Sequence, residues 1–82
     1  MNPNDIIAHL RRQPFRPLRV CILDGSTYDV PHPELMIVTR TDVAIALKLT
    51  EGELPDRMVF CDPLHITRIL PLDDASASNG EG

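Results

Sequence analysis

Residues 1–72 of this 82-residue chain predict a mainly β domain, a small barrel of about five strands preceded by one helix. Three observations carry that expectation. From residue 17 onward the chain is built of short runs that alternate apolar and polar residues, the period of half-buried strands. Turn residues separate these runs, and Asp24–Gly25–Ser26 is the strongest hairpin signal among them. Finally, a chain of this length is close to the size at which one core is only marginally sufficient, and closure into a barrel removes exposed sheet edges.

The helix is expected over residues 4–13. Asn4 is the expected N-cap, Asp5 suits the positive N-terminal end, and Arg11 and Arg12 suit the last turn. Ile6, Ile7 and Leu10 form a narrow apolar stripe, and Pro14 stops the helix. About ten residues are too few for an isolated helix in water, so the stripe must dock on the strands. "PFRP" (14–17) is an extended connector, because residues before proline avoid the helical region.

The first strand candidate is "LRVCIL" (18–23), with Leu18, Val20 and Ile22 on one face; "TYDV" (27–30) follows the turn. "LMIVT" (35–39) and "VAIALKL" (43–49) come next. In the latter, Val43, Ile45, Leu47 and Leu49 face one side and Ala44, Ala46 and Lys48 the other, the clearest alternation in the chain. "TEGELPD" (50–56) is a polar loop and "RMVFCD" (57–62) the fifth strand candidate. "PLH" (63–65) reads as a single helical turn before a last short strand, "ITRIL" (66–70). Residues 73–82, "DDASASNGEG", form an acidic tail with the composition of a disordered segment. This order of elements is that of a small SH3-like or Sm-like barrel. A helix packed on an open four- or five-stranded antiparallel sheet is the competing architecture.

Two resemblances follow from quoted motifs. "PFRPLRVCILDGSTYDVPHPELMIV", with "DPLHITRI" near the end, resembles a group of short uncharacterised bacterial proteins best represented in planctomycetes. The likeness covers residues 5–70: a short helix, PFRP, a strand, DG, a V-HPE corner and an LHITRI strand. It implies no biochemical activity. The element order is also similar to that of the bacterial Sm-like RNA chaperones of the Hfq family, with His65 near the histidine of their "YKH" motif and Ile66 near the apolar positions after it. Here "CDPLH" stands in place of that motif: its lysine is missing, and Asp62 supplies an acid where an RNA-binding ring wants a base. The second resemblance therefore implies the fold and argues against RNA as the ligand.

Composition narrows the function classes. The formal net charge of −4 works against nonspecific nucleic-acid binding, whose affinity comes largely from neutralised phosphates. The charge is uneven. Residues 1–20 hold Arg11, Arg12, Arg16 and Arg19 against Asp5 alone, whereas residues 21–82 hold four basic and eleven acidic residues. No apolar run approaches the roughly 20 residues that span a bilayer, and the N-terminus lacks the apolar core of a signal peptide. Cys21 and Cys61, both in apolar strand-like surroundings, read as reduced thiols of a cytoplasmic protein.

Candidate sites are few. In "DVPHPELMIV" (29–38) His32 stands between two prolines with Glu34 two positions on. Together with His65 or Cys61 the pair could surround zinc, which needs three or four converging ligands. The plainer reading makes it a proline-stiffened corner, with His32 satisfying backbone groups and Glu34 capping the turn; no metal and no cofactor is expected. Cys21 and Cys61 would be adjacent if the first and fifth strands paired, as barrel closure requires.

Ser26 lies in a turn, and Ser76 and Ser78 lie in the tail. With no nucleophile elbow or glycine-rich phosphate loop, and a core too small to leave a cleft of about 300 Å³, the chain reads as non-enzymatic with no evident small-molecule substrate. Arg11, Arg12, Phe15, Arg16 and Arg19 form the one basic set, a candidate contact for RNA or an acidic partner. One aromatic is thin for base stacking. The remaining expectation is a protein-interaction or self-assembling module, with "VAIALKL" and "MVFC" as edges available for strand pairing unless, on the plainer reading, the two pair with each other inside one chain. An RNA-binding protein using the arginine set is the alternative.

Overall fold

Nine residues, Pro3–Arg11, form helix α1. Asn2 rather than Asn4 is its N-cap: the Asn2 side chain accepts the Asn4 N–H at 2.8 Å, and Pro3 occupies the first turn, where a missing N–H goes unnoticed. Arg12 has already turned extended (φ −59°, ψ 137°), one residue before the pre-proline Gln13, so the helix ends earlier than residue 13. Ile6 is fully buried and Leu10 packs against the same core, which gives the short helix its docking face. The Met1 amino group donates to the carbonyls of Pro63 and Ile66, at 2.8 and 2.9 Å, and ties the start of the chain to its last strand.

The computed structural model describes residues 1–48 and 50–72. Six strands follow the helix: β1 (Leu18–Ile22), β2 (Thr27–Val30), β3 (Met36–Val38), β4 (Val43–Leu47), β5 (Arg57–Cys61) and β6 (Ile66–Pro71). They form two antiparallel three-stranded sheets, ordered β2-β1-β6 and β3-β4-β5. The mainly β class with one N-terminal helix is as the sequence implies. The five-stranded closed barrel is not what forms, nor is the single open sheet. Among the described residues no ladder joins the two sheets. Two short turns move the chain between the sheets. Pro33–Leu35 carries the chain from the first sheet to the second, and Pro63–His65 carries it back.

Both turns are one turn of 3₁₀ helix begun by a proline, and in both the residue before the proline is extended: His32 at φ −138°, ψ 143° and Asp62 at φ −77°, ψ 135°. Proline fixes the first turn residue and forbids helix to the one before it, so the chain must change direction there. The β1–β2 hairpin closes on Gly25, whose φ of +93° side chains rarely tolerate. Asp24 braces it by accepting the Ser26 N–H and hydroxyl.

The core lies between the inner faces of the sheets. Leu18 and Val20 (β1), Val30 (β2), Met36 (β3), Val43, Ile45 and Leu47 (β4), and Ile66 and Ile69 (β6) are buried, and Ile6 of the helix joins them. The alternation read from residues 43–47 is therefore real burial. Its continuation at Leu49 lies outside the described residues, as does the expected tail, 73–82.

Candidate interaction surface

Each sheet buries one face, and the two outer faces differ in chemistry. On the β2-β1-β6 sheet, Arg19 stands opposite Asp29 on one side and Leu70 on the other; Cys21 stands opposite Thr27 and Arg68. Arg19 Nε donates to Asp29 Oδ1 at 2.8 Å and the guanidinium reaches Oδ2 at 3.3 Å. That hydrogen bond, and then the Asp29 charge, raise the arginine pKa further. This face is mixed: one ion pair joins Arg19 and Asp29, with Leu70 and Arg68 beside it.

Within its strands, the outer face of the β3-β4-β5 sheet carries no charged residue. Ile37, Ala44 and Phe60 form one cross-strand row, and Ala46 and Met58 form the next. Phe60 is 69% exposed, Ile37 58% and Met58 46%. The inward-facing rows (Met36, Ile45, Val59 and Val38, Val43, Cys61) are committed to the core. Exposed apolar residues scattered singly are ordinary, but adjacent ones on a strand face form a patch. At the rim of this patch β5 is a sheet edge, with β4 on one side and no strand on the other among the described residues.

No free edge forms at 43–49; the plainer expectation, that the two segments pair with each other, is what the ladder shows. β4 is the central strand, paired to both β3 and β5, so "VAIALKL" and "MVFC" meet within one chain and only the outer side of β5 is left as edge. Cys21 and Cys61 are also not neighbours across a first-to-fifth strand pair. β1 pairs with β2 and β6, Cys61 pairs with Val43 in the other sheet, and both thiols are free. Burial, with a smaller contribution from the Asp62 charge, pushes the Cys61 thiol up from its ordinary pKa.

The other candidate residues are dispersed. His32 supplies its backbone carbonyl to the Leu35 N–H at 3.1 Å, while its side chain makes no capping bond; it and Glu34 are exposed on the first corner. His65 is exposed on the second corner, where its carbonyl accepts the Leu23 N–H at 2.8 Å beside Ile22, Leu23 and Asp24. Among the described residues no three His, Cys, Asp or Glu side chains come close enough to hold a metal ion. Arg11 and Arg12 are exposed at the end of α1 and Arg16 is half-buried, but Phe15 packs against the core and Arg19 is held by Asp29. The five residues do not form one free basic, aromatic surface.

The small core does leave concave surface, contrary to the size expectation. A depression of about 430 Å³ lies among Asn2, Pro3, Asn4, Ile7, Val38, Thr39 and Arg40, and one of about 340 Å³ among Thr27, Tyr28, Asp29, Pro31, Ala46, Leu47 and Lys48. Both are shallow and open to solvent. No described helix is long and apolar enough to cross a membrane. No family model, curated protein or solved structure matches the chain.

The apolar patch could be read in the sequence only after the fact. Ile37, Met58 and Phe60 stand at alternate positions of short strands, but which alternate set faces out depends on which sheet face is covered.

Proposed function

We propose that the protein is a non-enzymatic interaction module that acts through self-association, using the outer face of the β3-β4-β5 sheet. One observation carries this reading: Ile37, Met58 and Phe60 stand exposed together on an apolar stretch of sheet face that ends in β5, an edge strand among the described residues. Burial of that apolar surface supplies the driving force, and unpaired edge N–H and C=O groups supply direction. The outer face of the other sheet, where Arg19 is paired to Asp29, has no comparable cluster of exposed apolar side chains.

The RNA-binding alternative through Arg11, Arg12 and Arg16 has less support. Its fourth arginine is paired to Asp29, its aromatic packs on the core, and the chain's net charge is −4. The two free thiols, one in each sheet, suit a reducing, cytoplasmic setting. Sedimentation velocity from micromolar to millimolar protein tests the proposal. The expected result is a mass that rises above the 9.2 kDa chain with concentration and falls back in Phe60→Asp. A mass of one chain throughout would overturn it.

A further inference from the structure

Among the described residues β5 has a ladder partner on one side only, and its residues run exposed, exposed, half-buried, exposed, half-buried. An antiparallel edge strand turns alternate backbone N–H and C=O groups away from its sheet, so this edge holds an unfilled set of ladder positions. Resting on the self-association proposed above, we infer that these positions are filled by β5 of a second copy, paired antiparallel about a two-fold axis at Val59.

The register follows from the side chains. Residues opposite each other in an antiparallel pair share a face, so only registers that keep 58 and 60 on the outer face make one continuous sheet. Three such registers overlap well. Centring on Met58 sets Phe60 against the partner's Asp56, and centring on Phe60 sets Met58 against the partner's Asp62; each places an apolar group beside a carboxylate. Centring on Val59 pairs all five residues of the strand. Met58 then meets the partner's Phe60, twice by symmetry, a favourable sulfur–aromatic contact. Each row of Ile37, Ala44 and Phe60 continues into the partner's Met58 and Ala46, and the patch becomes one band across six strands.

At the two ends of this pairing Asp56 meets the partner's Asp62. Both carboxylates already hold hydrogen bonds, Asp56 from Thr50 and Asp62 from the Leu64 N–H. This like-charge contact, added to the net charge of −4, makes association stronger as salt rises. A five-residue edge falls short of the roughly 1,200 Å² buried by stable standard-size interfaces, so the dimer is weak and depends on concentration.

Disulfide trapping tests the register. The variant is Arg57→Cys in a Cys21→Ser background, which leaves Cys61 as the only native thiol. Positions 57 and 61 of one strand are about 13 Å apart, beyond the roughly 7 Å limit of a disulfide, so any bridge between them joins two chains. In the inferred register the two positions stand opposite each other at about 4.5–5.5 Å. In a glutathione redox buffer the expected product is a covalent dimer with two symmetric bridges, abolished by adding Cys61→Ser and promoted by salt. If the parent protein associates but this variant yields no covalent dimer, the inference is overturned and self-association stands. The same follows if the thiol at 57 bridges instead to a cysteine placed at Arg68 of β6 in species larger than dimers. A monomer at every concentration overturns both.

Discussion

Phe60 stands directly opposite Ala44 in the β4–β5 ladder, and the alanine is too small to cover the ring, which stays 69% exposed. Ile37 flanks Ala44 on the other side. A large aromatic on the outer face of a strand, set against a small residue, lies outside the core cluster.

Because the fold makes little use of the ring, Phe60→Thr, which keeps strand propensity, should change stability by no more than about 0.5 kcal/mol. Self-association should weaken at the same time. Urea denaturation of dilute protein, alongside sedimentation, separates the two effects; a large loss of stability would mean that Phe60 belongs to the core.

Ile45 presents the opposite case on the same strand. Fully buried between the sheets, with Met36 and Val59 as its cross-strand neighbours, it cannot be truncated without leaving a cavity. Ile45→Ala should cost about 2–5 kcal/mol, enough to bring so small a domain close to unfolding. The midpoint of urea denaturation followed by circular dichroism reads this directly.

The Asp24 carboxyl titrates below the ordinary carboxylate range, first because the Ser26 hydroxyl donates to it and second because the Ser26 N–H does, at 2.9 Å. A folded pKa below the unfolded value of about 3.9 makes a contribution to stability that is present above that value. The contribution is lost as pH falls through the folded pKa. Ser26→Ala should raise the pKa part of the way back, since the backbone donor remains. Carboxyl carbon shifts in an NMR titration measure it.

Cys61 is pushed the other way. Its burial, aided by Asp62, favours the neutral thiol, so alkylation by iodoacetamide at pH 8 should be several-fold slower than that of an exposed peptide thiol. Asp62→Asn should recover only the smaller, charge-dependent part of that difference. With the folded pKa raised, the stability linked to this thiol is present below the free value of about 8.5 and declines as pH rises through the folded value. Mass spectrometry of the modified peptides follows the reaction.

Local chemistry settled the elements. Period-two burial at Val43, Ile45 and Leu47, the Asp24–Gly25 turn, and the proline corners at Pro33 and Pro63 all follow from neighbouring residues, and all are present as expected. His32 belongs with them: its extended backbone between two prolines makes the corner, and its side chain is not needed for it. Pairing was a different matter. That Cys21 and Cys61 lie in different sheets depends on β1 meeting β6 across the length of the chain, and that β4 lies in the middle of its sheet depends on which strands pair. Alternation fixes two faces of a strand without saying what covers either, because the covering layer comes from elsewhere in the chain. The tertiary arrangement alone decided that Ile37, Met58 and Phe60 are left facing outward beside an open edge.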